Sequence, residues 1–346
     1  MHCFAGGHMK KIAKTTLAVF CVILMLSALI LDTKTMTDEI VSAVETCLYT
    51  IIPALFGFMV VSSYLIKSGL YRIIFKPLYF ILRRVIRLSE EEFGIFLLSL
   101  FGGYPVGAKL IADNKITRDI LPFCYCPSPG FVIFIVGIGL FSSPQVGIAV
   151  YLSNVLACVL LAIVLSFKNK KVTGGQSRPP LLLNVITPSV LSASSALFPV
   201  CAVVTAFGLI KGTLRFIGVE NAFVFAVLEI SGVANLTPNP ALLPLIAALF
   251  STGGLCIITQ IPALINKKIP LKGFLIWRIP AAILSALICK LFMPLLDFTA
   301  YVAASTTESA VAVTQANSPI ASVSLLMMAM ILVKTAEDKS KQNTCD

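Results

Sequence analysis

Charge is the scarcest property of this chain. Charged residues make up 12% of its 346 residues, against 58% hydrophobic; in a soluble domain about a quarter are charged. No polar stretch is long enough to form a separate soluble domain. Histidine is nearly missing, and His2 and His8 both precede the first apolar run. No histidine is therefore placed in a membrane to serve as catalytic base or proton relay. The ten cysteines include no C-x-x-C pair, which argues against a zinc site. Scattered through apolar runs, they read as small hydrophobes. The phosphate-loop spacing G-x-x-x-x-G-K-[ST] is absent, so nucleotide hydrolysis is not expected to drive the protein. A paired-carboxylate motif is also missing, and the chain reads as a non-enzyme without metal or cofactor. The net charge of +11 is not gathered into a compact basic domain, which removes nucleic acid as a partner.

What remains is a series of long apolar runs, the signature of a polytopic membrane protein. Spans are expected at 15–31, 48–66, 119–141, 146–167, 194–210, 240–258, 272–296 and 319–333. The basic stretch at 10–14 followed by apolar residues to Leu31 resembles a secretory signal, but the run is long, and an uncleaved first helix is the better reading. Met9-Lys10-Lys11 also reads as a natural start beside Met1. Two further apolar stretches, 93–111 and 221–237, are interrupted by glycine, proline or asparagine and read as re-entrant hairpins. With them re-entrant and the N-terminus inside, most of the 27 Lys and Arg fall in inner loops, as the positive-inside rule requires. Both termini are then cytoplasmic. Arg72, Lys76, Arg83, Arg84 and Arg87 alternate with Ile, Phe and Leu, which suits an amphipathic segment on the inner leaflet. Ser89-Glu90-Glu91-Glu92 is a capping box that starts the next helix.

The candidate chemistry sits at the breaks. Gly102-Gly103-Tyr104-Pro105-Val106-Gly107 and Cys126-Pro127-Ser128-Pro129-Gly130 fall where a helix should run on. Hydrocarbon cannot satisfy the peptide groups they free, so such breaks line a cavity or are buried in protein. Many transporters build their polar site this way. Candidate solute contacts in the first break are Gly102, Gly103, Tyr104, Pro105 and Gly107, with Lys109 at the returning end either adding charge or snorkelling to the surface. Ser128 is the candidate in the second break. Glu229 is an acid inside an apolar run, expensive in lipid and expected to be functional or paired; Ser231 and Asn235 accompany it. A proton- or cation-linked role is the functional reading, and a structural ion pair with Lys290 the plain one. Gly253, Gly254 and Gln260 complete the set, with helix packing by small residues as the competing view.

An internal repeat is visible. Ile52-Pro53-Ala54-Leu55-Phe56 opens one span and Phe198-Pro199-Val200 another. An amphipathic stretch precedes each, at 36–47 and 181–193, and a basic segment, an interrupted hairpin and two spans follow. Three crossings separate the units in this plan, which inverts the second one.

Gly103-Tyr104-Pro105-Val106-Gly107-Ala108-Lys109-Leu110 resembles the signature of the sporulation integral membrane protein YlbJ family, which belongs with the nucleoside-recognition, or Gate, domain proteins. Pro127-Ser128-Pro129-Gly130-Phe131, Leu228-Glu229-Ile230-Ser231-Gly232 and Gly253-Gly254 with Gln260 match in order, over about residues 40–296. Where the family tends to have asparagines, this chain has Cys124-Tyr125-Cys126. The resemblance implies a multi-pass inner-membrane protein of spore-forming bacteria, needed for spore formation and cortex assembly.

The expected fold is all-α, with about eight transmembrane helices and two re-entrant or broken-helix hairpins. Residues 1–35 form an anchor helix, 36–180 the first Gate-like repeat, 181–297 the inverted second repeat, and 298–346 a C-terminal helix and cytoplasmic tail. The expected function is transport or gated passage of a small polar, nucleoside-like solute. A non-transporting assembly factor for the spore cortex or envelope is the alternative. Expected partners are the lipid bilayer, the solute, and a second copy or spore-envelope proteins.

Overall fold

The computed structural model describes residues 2–114, 116, 119–168, 182–265 and 271–296. Among them the chain is helical without strands. The helices are α1 (His2–Leu31), α2 (Thr33–Thr46), α3 (Ile52–Ser68), α4 (Tyr71–Ile74), α5 (Lys76–Leu82), α6 (Glu90–Gly102) and α7 (Tyr104–Asp113). Then come α8 (Pro129–Val132), α9 (Pro144–Lys168), α10 (Ile186–Phe216), α11 (Ala222–Leu228), α12 (Leu243–Thr252), α13 (Gly254–Leu264) and α14 (Leu271–Phe292). Among the described residues six stretches are long and apolar enough to cross a membrane: Lys14–Leu31, Thr33–Ser68, Pro144–Phe167, Ile186–Phe216, Pro240–Leu264 and Leu271–Leu295. The span expected at 319–333 lies outside the described residues.

Thr33–Ser68 is one 36-residue helix, joining the amphipathic stretch at 36–47 to the span expected after it. Its joint is a π turn, Cys47–Ile51. Pro53 explains the turn: its ring clashes with the carbonyl four residues back, that of Tyr49, and it donates no amide. A wider turn relieves both. Gly69, in the left-handed conformation at φ 75°, ends α3 by donating to Ile66, as helix-terminal glycines do.

The protein's centre is not a spanning helix. α6 and α7 are 13 and 10 residues long, about 20 and 15 Å, too short for a hydrocarbon core of about 30 Å. They pack side by side as a hairpin. Ser89 accepts from the Glu92 amide at 3.2 Å, and Glu92 accepts from the Ser89 amide at 2.8 Å, so the expected capping box starts α6. Residues 92–100 are all buried, wrapped by the spanning helices.

The span expected at 119–141 is corrected. Residues 119–128 are not helical, and an apolar helix runs only over Pro129–Leu140. Pro122, Pro127 and Pro129 remove amide donors, and residues preceding proline avoid helix. This non-helical segment is buried from Ile120 to Pro127. Residues 221–237 fold into α11, an extended Glu229 and a 3-10 turn, Ile230–Asn235. Asn221 caps α11 through the amides of Phe223 and Val224.

Candidate functional site

Four departures from regular helix meet around one cavity of about 70 Å³, room for a few water molecules. The π turn contributes Thr50 and Ile51, with Thr46 just before it. The first break contributes Gly103, Tyr104 and Pro105, and the proline break contributes Ser128 and Phe131. Glu229, Ile230 and Ser231 come from the extended turn after α11, and Cys256 and Gln260 from α13. Thr50 and Ile51 stand at mid-length of the helix 33–68, and Val200 and Val204 line the cavity from the middle of α10. The cavity thus sits half-way along both long spans.

Glycine brings the walls together. Gly103 has φ 87° and ψ 172°, a region in which side chains are strained, and a Cβ there would stand 3.3 Å from Ser128 Cβ. A Cβ on Gly107 would lie 1.9 Å from the Cys124 carbonyl oxygen. The face of α7 carrying Gly107 is therefore pressed on the non-helical segment 119–128, and Gly107 serves that contact rather than the cavity. Gly102 likewise packs under Phe58.

Glu229 is 7% exposed and accepts from Lys211 Nζ at 2.9 Å; the Ser231 hydroxyl donates to its other oxygen. The expected partner, Lys290, is exposed on α14 instead. α10 continues unbroken to Phe216, which draws Lys211 out of a loop and onto a helix facing Glu229. Such a buried pair is weak evidence of stability, since desolvation offsets its attraction. Gln260 is 3% exposed, and its amide nitrogen meets only the Cys256 thiol, at 3.4 Å.

The break at Gly253 is closed to the cavity. A helix leaves its last carbonyls without a helical partner, and in α12 distant side chains take the final three in turn. Tyr104 Oη donates to the Phe250 carbonyl at 2.5 Å, Arg278 Nη1 to Ser251 at 3.1 Å and Tyr125 Oη to Thr252 at 3.0 Å. Arg278, 2% exposed, also donates to the carbonyls of Pro122 and Tyr125 and lies 4.9 Å from the Tyr125 ring centroid. Gly253 abuts Tyr125 Oη, and Gly254 abuts the Val227 carbonyl.

Seven of the thirteen candidates line the cavity: Gly103, Tyr104, Pro105, Ser128, Glu229, Ser231 and Gln260. Gly102, Gly107, Gly253 and Gly254 pack against neighbouring elements. Lys109 pairs with Asp113 at 2.9 Å and donates to Ser195 Oγ at 3.4 Å. Asn235 is exposed. Sequence reasoning missed Lys211, one residue beyond the span expected at 194–210, and Arg278, inside the span expected at 272–296. For Arg278 a signal existed: it stands inside an apolar run, where a charge is costly. No family model, no curated protein and no solved structure matches the chain.

Proposed function

We propose that this protein is a multi-pass transporter or gated pathway for a small polar solute. The carrying observation is the mid-length cavity at which the π turn, both proline-containing breaks and the Glu229 turn converge. Irregular backbone at membrane depth is tolerated where it lines such a chamber. In this reading Glu229, Ser231, Ser128 and Gln260 offer hydrogen bonds to the solute, and Glu229 couples passage to an ion. About 70 Å³ is far below the 300–1,000 Å³ of an ordinary ligand pocket, so the structure corresponds to a closed state that must open for anything of nucleoside size.

Polar groups on one side of the hairpin are consistent with the reading. A separate small void is lined by Met59, Ser63, Val106, Lys109 and Ser192, and among the described residues the buried hydroxyls of Ser62 and Ser63 have no protein partner. Lys109 at this void pairs with Asp113 at 2.9 Å, and Lys67 lies 3.9 Å from the same carboxylate. We further propose an inverted repeat with both termini cytoplasmic, in a membrane of spore-forming cells, in which 119–140 crosses as a broken segment, non-helical over 119–128 and helical over Pro129–Leu140.

Uptake into proteoliposomes, screened with nucleosides and cell-wall precursors, tests the proposal. Uptake is expected above empty vesicles, with loss in Gln260→Ala and in Glu229→Gln. Full activity of Glu229→Gln would remove the coupling role, and no uptake of any solute would remove the transporter. The exposed basic segment between α3 and α6 favours a second reading, a non-transporting assembly factor for the spore envelope. Substitutions at Gly103, Pro105 and Gln260 that spare protein level and sporulation would favour it.

A further inference from the structure

The segment from α4 to the start of α6 carries five cations, Arg72, Lys76, Arg83, Arg84 and Arg87. Lys76, Arg83 and Arg84 are exposed there, beside Arg72. Between them Ile73, Ile74, Leu78, Phe80, Ile81 and Val85 are also exposed, Phe80 by 62% and Ile81 by 67%. Exposed apolar side chains interleaved with cations suit neither water nor hydrocarbon alone. They match the boundary between them.

The position of the segment agrees. It follows Gly69, where the span Thr33–Ser68 ends. At its far end the Arg87 guanidinium lies 4.4 Å from the ring centroid of Phe167, the last residue of the span Pro144–Phe167. Two spans thus end at this level. The segment is held there from beneath by Tyr71, Ile86 and Leu88, all buried, and by the Tyr79 hydroxyl, which donates to the Leu88 carbonyl at 3.2 Å. Of the nearby carboxylates, Glu92 is engaged in the capping box and Glu90 lies 4.0 Å from Arg72, while Glu91 is half-buried. Among the described residues no carboxylate pairs with Lys76, Arg83 or Arg84.

We propose that this segment is a binding surface for anionic phospholipid headgroups, with Lys76, Arg83 and Arg84 meeting the phosphates and the interleaved apolar side chains entering the acyl boundary. The assignment is independent of any transported solute. It also places lipid binding one step from the cavity, because Ser89 joins the segment directly to α6, whose far end is Gly102 beside the cavity-lining Gly103.

The test uses the full-length protein purified in neutral detergent and mixed with phosphatidylglycerol or phosphatidylcholine of matched chains, with retained lipid counted by native mass spectrometry. The parent protein is expected to retain phosphatidylglycerol preferentially. Lys76→Gln/Arg83→Gln/Arg84→Gln is expected to lose the preference, by roughly fivefold in affinity for each charge removed. Lys76→Arg/Arg83→Lys/Arg84→Lys should keep it, which separates charge from misfolding. Equal retention of the two lipids by the parent overturns the proposal. So does undiminished preference in the glutamine variant, or suppression of lipid retention by an acidic protein partner that co-purifies on this surface.

Discussion

Arg278 is a buried charge that pairs with no carboxylate among the described residues. A lone guanidinium in hydrocarbon is costly, yet here its hydrogen bonds go to peptide carbonyls of two interrupted segments, Pro122 and Tyr125 on one side and Ser251 on the other. Carbonyl dipoles and the Tyr125 ring stand in for water. Arg278→Met leaves those carbonyls short of donors, at roughly 1–3 kcal/mol for each one stranded. The melting temperature in detergent is expected to fall sharply, and less in Arg278→Lys, whose ammonium reaches fewer acceptors. A methionine variant that melts like the parent would show that the clamp holds nothing. Glu229 differs in kind: its carboxylate is matched by a charged partner, Lys211 at 2.9 Å.

The interrupted elements divide into two sorts. α6 and α7 fold back on each other, while α12 and α13 continue as one kinked span. Both turn on a glycine with positive φ, Gly103 and Gly253, but only the first opens on the cavity. Gly103→Ala puts a side chain into a region that costs about 1–3 kcal/mol and pushes it toward Ser128. It is expected to lower thermal stability by that amount and to separate the two breaks, detectable as a changed cysteine-labelling rate at an introduced Ser128→Cys. Unaltered stability and labelling would mean that the hairpin tip bears no constraint.

Across the molecule, burial is uneven. The short hairpin α6–α7 and the irregular segment 120–127 are almost fully enclosed, whereas the span Lys14–Leu31 is only 6% buried. α1 lies against the outside of α10 and α2, presenting Leu17, Phe20 and Ile23 outward, as a helix surrounded by lipid should. Deleting residues 2–31 is therefore expected to leave the remaining protein folded, with a melting temperature close to the parent's in the same detergent. Collapse of the truncated protein would assign α1 a packing role that its few buried side chains do not suggest.

Composition alone was enough to name the solvent: with 12% charged residues the chain belongs in a bilayer, and hydrophobic runs locate most of its long helices. The breaks at Gly102–Gly107 and Cys126–Gly130 were legible for the same local reason, since glycine and proline act on their own backbone. Which breaks face a cavity was not legible. A freed carbonyl is open or sealed according to whether a donor reaches it, and the donors to Phe250, Ser251 and Thr252 come from Tyr104, Arg278 and Tyr125 on other elements. Periodicity carries no trace of such meetings. The partner of Glu229 was hidden likewise, because it depended on how far α10 runs and which way it turns Lys211. Local chemistry fixes where the chain must bend; long-range packing fixes what each bend is for.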